Sequence, residues 1–198
     1  MSGNSAIDRE RMFLVEQQTV RVDNGFGDED LILDLGGGGE GVIGQLRGRQ
    51  VVAVDMRKQE LEECAPGPIK VVADARELPF LDEAFDAITA FFFFMYVPAC
   101  DRSSVLSEAY RVLRSGGKLH IWDVTIPVRT DQSQEIFVVP VKVELPDRSI
   151  ETGYGVRWDG REMSMDDICQ LAQEHGFGVE EKTSYGEHFH LTLSRESE

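Results

Sequence analysis

The 198-residue chain is short of cations: 20 Lys and Arg stand against 36 Asp and Glu, a formal net charge of −16 with His neutral. A field of that sign repels phosphate backbones and anionic lipid headgroups, so nucleic acid and membrane surfaces are poor partners. Cysteine is scarce too. Cys64, Cys100 and Cys169 are far apart, odd in number and form no C-x-x-C pair. They imply neither a disulfide framework nor a metal site, and a reducing cytoplasm is the expected location. No run reaches the roughly 18 apolar residues of a membrane helix. Residues 1–10 lack the apolar stretch of a signal peptide. Internal repeats and low-complexity linkers are absent, so residues 1–198 read as one domain with a sizeable core.

Glycine, by contrast, is concentrated. Leu31-Ile32-Leu33-Asp34-Leu35 runs straight into Gly36-Gly37-Gly38-Gly39-Glu40-Gly41. This is the pattern of a buried strand turning sharply into a helix with its backbone laid open, as happens where a ligand approaches the main chain. Further strands read at Val51–Asp55, Ile69–Asp74, Phe85–Phe91 and Lys118–Val124. Helices read at 58–64, stopped by Pro66-Gly67-Pro68, and at 103–113, stopped by Gly116-Gly117. Continuous apolar strands interleaved with helices predict an α/β fold whose parallel sheet is covered on both faces.

The pattern changes after residue 130. Two alternating segments flank Pro146-Asp147-Arg148 and predict a β-hairpin over 135–158. Val139, Val141, Val143 and Leu145 share one face of the first segment; Ile150, Thr152, Tyr154, Val156 and Trp158 share one face of the second. A helix follows at 164–175, with Ser164 as N-cap and Asp167 completing a capping box. Two closing strands, 179–185 and 188–193, read as antiparallel. The first 25 or so residues carry no clear pattern.

The glycine run has two spellings. Gly36, Gly38 and Gly41 write G-x-G-x-x-G, and Asp55 follows about 20 residues later, as in nicotinamide or flavin sites. Asp34-x-Gly36-x-Gly38 fits a different nucleoside ligand equally well. In both, Asp55 offers two oxygens to a ribose diol, in charge-assisted bonds of about 1.5–3 kcal/mol each; its bland role is to cap the next helix. In Phe91-Phe92-Phe93-Phe94-Met95-Tyr96 the rings cannot all face one way, and the plain reading is that alternate rings fill two buried faces.

Three later segments separate the spellings. Asp74-Ala75-Arg76-Glu77-Leu78-Pro79-Phe80 resembles the D-A-x-x-L-P-F stretch of class I S-adenosylmethionine-dependent methyltransferases. Phe85-Asp86-Ala87-Ile88 resembles their F-D-x-(V/I) strand, and Arg111-Val112-Leu113-Arg114-Ser115-Gly116-Gly117 their R-V-L-(K/R)-x-G-G turn. With the glycine loop these occur in order across about half of the chain, and the style is that of the ubiquinone/menaquinone C-methyltransferases. The resemblance implies a Rossmann-like, mostly parallel seven-stranded sheet with an antiparallel last strand, and S-adenosylmethionine as methyl donor to a small-molecule acceptor. It implies that Asp34, Gly36, Gly37 and Gly38 hold the methionine end and Asp55 the ribose. Met56, Asp74 and Ala75 would hold the adenine, and Phe91 would lie beside the cofactor.

The chain departs from the family at position 40, where Glu40 replaces the usual third glycine; either the loop is wider or its helix starts one residue late. No residue stands out as a base, and Asp123, His120 and Tyr96 are the candidates. His120 has a competing role as a satisfied core residue, and His188 and His190 read as surface histidines rather than metal ligands, so no metal is expected. Tyr96, Trp122, Tyr154 and Trp158 are expected to line the substrate pocket, with the hairpin as its cover; the competing reading makes the hairpin a homodimer contact. Two other functions remain open: an NAD(P)-dependent oxidoreductase, and a non-catalytic S-adenosylmethionine-binding protein.

Overall fold

The computed structural model describes residues 9–23 and 25–196, so residues 1–8 of the unreadable N-terminal segment lie outside the description. In chain order the elements are strands β1 (Met12–Leu14), β2 (Gln18–Arg21) and β3 (Ile32–Leu35), helix α1 (Val42–Arg47), β4 (Val51–Asp55), α2 (Lys58–Glu63), β5 (Ile69–Val72), β6 (Phe85–Phe91), α3 (Arg102–Val112), β7 (Leu113–Val124), β8 (Ile136–Glu144), β9 (Ser149–Arg157), α4 (Met165–Glu174), β10 (Phe177–Tyr185) and β11 (His188–Arg195).

Seven strands form the main sheet in the order β10-β11-β7-β6-β3-β4-β5. Strands β3 to β7 run parallel, β11 is antiparallel to β7, and β10 is antiparallel to β11. This is the Rossmann-like architecture the motifs imply. The central strands are apolar on both faces because helices cover both; β3 is buried throughout. Helices α1 and α2 pack on β4, while α3 and α4 pack on each other and on β7, β10 and β11. Among the described residues no helix is long and apolar enough to cross a membrane.

Helix α4 starts as its sequence dictates. Ser164 accepts from the Asp167 amide, and the Asp167 carboxylate accepts from the Ser164 amide at 2.8 Å. Ser164→Ala should therefore cost about 1 kcal/mol and lower the melting temperature by about 2–4 °C in a chain of this size, measured by thermal unfolding. An unchanged midpoint would show that packing alone sets this helix end.

The hairpin exists as β8 and β9, antiparallel from Ile136↔Arg157 to Glu144↔Ser149. It is not a free-standing insertion. The N-terminal segment supplies β1 and β2, which pair in parallel with the other edge of β8 and make a second, four-stranded sheet. Strand β1 covers Ile136–Val138 and β2 covers Val141–Glu144. Pro140, which cannot donate to a ladder, falls in the gap between them. Phe137, Val139, Val141 and Val143 point inward and are fully buried, and β9 lies over the carboxyl ends of the main sheet.

Candidate active site

Four parallel strands end at one level. Leu35 of β3 pairs with Val54 of β4 and Ala90 of β6, and Asp55 pairs with Val72 of β5. The chain leaving each strand opens into one crevice where the strand order reverses, the usual ligand position in open α/β sheets. The crevice is a cavity of about 780 Å³ that takes in Asp34 and the glycine loop, Asp55 and Met56, Asp74 to Arg76, Phe91 to Phe93, Tyr96, and Gly153 to Gly155 of β9.

Of the glycines the spelling marks, Gly36 and Gly41 have committed amides and Gly38 does not. Gly36 and Gly37 both give their amides to the Val54 carbonyl, at 2.8 and 3.1 Å, and Gly39 gives its amide to Glu60. The amides of Gly38 and Glu40 have no partner among the described residues. Gly41 has φ +54°, and helix α1 begins at Val42, one residue late. A Cβ at Gly41 would collide with Cys64 Sγ, so glycine is required there. A Cβ at Gly38 would stand 2.9 Å from Asp55 Oδ2 and fill the space between loop and acid.

Asp34 is wholly buried and faces Thr89 across the β3–β6 register; the Thr89 hydroxyl donates to Oδ1 at 2.7 Å. Burial pushes its carboxyl up to about 7, against the lowering effect of Thr89. Asp55 Oδ1 accepts from the Arg57 amide at 2.8 Å, which leaves Oδ2 toward the loop. Asp74 is tied to Arg76, whose Nε and Nη2 reach its two oxygens at 2.6–3.1 Å. The Arg76 side chain holds Asp74 well below the usual carboxylate range. Arg76 Nη1 also reaches Asp101 at 3.0 Å, so an acid read as a free adenine contact sits in an ion-pair clamp. Met56 is 62% exposed beside it.

The far wall is aromatic. Phe92 stacks on Tyr154 of β9, rings 4.9 Å apart and 16° from parallel, and Phe91 meets Tyr154 edge-on at 6.4 Å. Phe92 adopts φ +47°, a left-handed conformation that costs a bulky residue about 1–3 kcal/mol. Its amide donates to the Trp122 carbonyl at 2.7 Å, and the short 3-10 turn Phe94–Tyr96 follows. The hairpin is pinned to this wall at two points. The Gly155 amide donates to Tyr96 Oη at 3.3 Å, and the Thr152 hydroxyl donates to Glu40.

Residues 33–121 match the family described as "Methyltransferase domain". Over this segment the chain is similar to the class I S-adenosylmethionine-dependent methyltransferases. A ubiquinone/menaquinone biosynthesis C-methyltransferase of Desulfotalea psychrophila is 39% identical over 85 residues, 40% of this chain and 34% of that protein. Its counterpart in Brucella canis is 49% identical over 61 residues, 29% of this chain and 22% of that protein. The chain thus spans about a third or less of the length of these relatives. A methyltransferase structure from Methanosarcina mazei superposes with a TM-score of 0.63 over 87% of this chain and 95% of its own, at 16% identity, a likeness of fold. The cofactor of this methyltransferase family is S-adenosylmethionine, which displaces the nicotinamide alternative.

Against that methyltransferase frame, several sequence expectations need correction. Asp123 is 0% exposed and outside the cavity wall. Its carboxylate accepts from the amides of Phe94, Met95 and Val124, so it anchors the aromatic turn rather than facing a substrate. His120 is also off the cavity; burial, with His190 nearby, pushes it down to about 4, and it packs edge-on against Phe26 at 5.3 Å. Tyr96 does line the cavity, but burial pushes its phenol up to about 12, which removes it as a base near neutral pH. Trp122 stacks on His190 at 4.5 Å behind the wall. Trp158 packs on Phe13 and Phe137 and donates Nε1 to the Pro127 carbonyl, in the core of the second sheet. His188 is not a surface residue: it is 5% exposed, with Nδ1 3.0 Å from Gln18 Oε1. Glu40, which departs from the family's glycine pattern, lies on the cavity wall just before the late start of α1.

Proposed function

We propose that this protein transfers a methyl group from S-adenosylmethionine to a small-molecule acceptor. One observation carries the reading: two unpartnered loop amides, a ribose-type acid and an adenine-side acid converge on one cavity whose remaining wall is aromatic. The printed names of the relatives, C-methyltransferases of quinone biosynthesis, support an acceptor of small-molecule type.

The residues present fit the donor. The Gly38 and Glu40 amides suit its carboxylate, and the Asp34 and Glu40 carboxylates suit its ammonium. Asp55 Oδ2, the oxygen not used by Arg57, suits the ribose hydroxyls. Met56 and the Ala75 amide suit the adenine, with Asp74 held in place by Arg76. Phe91 suits the sulfonium, since an aromatic face attracts a cation by about 0.5–2 kcal/mol. When bound, the donor supplies an activated methyl: the carbon–sulfur bond breaks toward sulfur as an acceptor lone pair bonds the carbon. The chain's own work is to align the two and to exclude water, which needs no strong base; a proton lost by the acceptor passes to solvent. Gly153 to Gly155 of β9 form part of the cavity wall, which favours the hairpin as cover over the hairpin as dimer contact.

Calorimetric titration with S-adenosylmethionine, S-adenosylhomocysteine, NAD and NADP tests this directly. Saturable binding of the two adenosyl-sulfur ligands alone is expected. Failure of both to bind overturns the reading, and absence of turnover on thiols, phenols and quinols would leave a binding protein.

A further inference from the structure

Tyr154 comes from β9, outside the residues that match the methyltransferase family, and the methyl-transfer mechanism above gives it no role. Its ring is fixed by stacking on Phe92. Its hydroxyl is different from the other polar tips nearby. Tyr96 Oη has the Gly155 amide and Trp158 Nε1 has the Pro127 carbonyl. The Tyr154 hydroxyl has no hydrogen-bond partner among the described residues, and its half-buried side chain forms part of the cavity wall. Unbonded and on the cavity wall, the hydroxyl is free to donate to a molecule bound there. Glu40, Tyr96 and Asp34 are the groups whose charge bears on it most, which places it where the glycine loop meets the aromatic wall. Burial and those neighbours drive its phenol well above the ordinary tyrosine value, so it stays a donor.

The charges around it limit what it can serve. The two arginines on the cavity wall are both paired, Arg57 with Glu60 at 3.1 Å and Arg76 with Asp74 and Asp101. An anionic acceptor would find no free counter-charge and several carboxylates.

We propose that Tyr154 orients the acceptor, donating its hydroxyl hydrogen to an oxygen on a flat, uncharged aromatic molecule that packs against the Phe91–Phe93 wall. This rests on the methyl-transfer reading and adds a substrate class and a specificity residue to it. The hairpin is then part of the substrate site as well as its roof.

The test uses the full chain saturated with S-adenosylhomocysteine, and two probes of the same ring system: 2-naphthol, neutral at pH 7, and 2-naphthoate, an anion. Tyr154→Phe keeps the stacked ring and removes one oxygen. The variant should bind S-adenosylhomocysteine within twofold of wild type, which also shows that it is folded. It should bind 2-naphthol about tenfold more weakly, the loss expected for one hydrogen bond. Wild type should bind 2-naphthoate at least about tenfold more weakly than 2-naphthol, by the same factor for one lost or repelled contact. Equal affinity of wild type and variant for 2-naphthol overturns the proposal. So does binding of 2-naphthoate as tightly as 2-naphthol, and so does failure of wild type to bind 2-naphthol at all. Failure of wild type to bind S-adenosylhomocysteine strikes instead at the methyl-transfer reading, and the 2-naphthol comparison is then read without it.

Discussion

Asp55→Ala should weaken S-adenosylmethionine binding by roughly ten- to a hundredfold, the loss of one or two charge-assisted hydrogen bonds. Asp55 ends β4 level with the glycine loop, and only its Oδ1 is committed, to the Arg57 amide. The alanine variant removes that turn contact together with the proposed ribose contact. Asp55→Asn divides the two, because its amide oxygen can still accept from Arg57 while its NH2 replaces an acceptor with a donor. We expect about a tenfold loss in the asparagine variant, with an unchanged melting temperature. Calorimetry on both variants is the measurement. Wild-type affinity in a folded Asp55→Ala protein would move the ribose elsewhere.

The second large effect concerns pH. Asp34 is raised from 3.8 to about 7 by burial. The folded state therefore binds its proton more tightly than the unfolded chain does. The associated stability is fully present below about pH 4 and is lost as pH rises through about 7, where the carboxylate is ionised in a dry setting. A shift of that size corresponds to about 4 kcal/mol. Asp34→Asn keeps an acceptor for the Thr89 hydroxyl and carries no charge to bury. It should gain stability over wild type progressively from pH 4 to pH 7 and hold that gain above it, as read by urea unfolding at a series of pH values. A constant difference between the two proteins would mean that Asp34 does not titrate there.

Ligand binding should show the opposite dependence. On the proposed reading the donor's ammonium favours ionised Asp34, so binding expels a proton below pH 7. Wild-type affinity should climb by up to about tenfold per pH unit toward that point, whereas the Asp34→Asn variant should be weaker and nearly flat between pH 5 and 7.5. Parallel profiles would place the ammonium away from Asp34.

The main sheet was legible because each element carries its own signal. Strand β4 is a run of apolar residues ending in an acid, α4 has its box at Ser164 and Asp167, and the β6 segment ends where the aromatics begin. Strands β1 and β2 were illegible for the opposite reason. They are three and four residues long, and they are strands only because β8, more than 100 residues later, offers an edge. Where a motif fixes the backbone, as at Asp34, Asp55 and Asp74, the residues singled out in the sequence do line one cavity. The site was misread where alternation fixes a face but not a position along it. Tyr154 and Trp158 share a face by alternation, yet the four-residue step between them carries Trp158, just past β9, from the cavity to the Phe137 core. Trp122 and Asp123 flank the same strand end and both lie behind the wall they support.

The parallel pairing of β1 and β2 with β8 also sets an order of events during synthesis. Met12 finds Ile136 only after the whole first half of the main sheet has left the ribosome. Contacts of such separation close late because of the chain entropy they demand. Until they close, β8 shows an unpaired edge and its row of valines, the kind of surface that recruits other chains. The few residues of β1 and β2 thus act as a late-arriving guard against aggregation, and their loss should be felt first as poor folding yield.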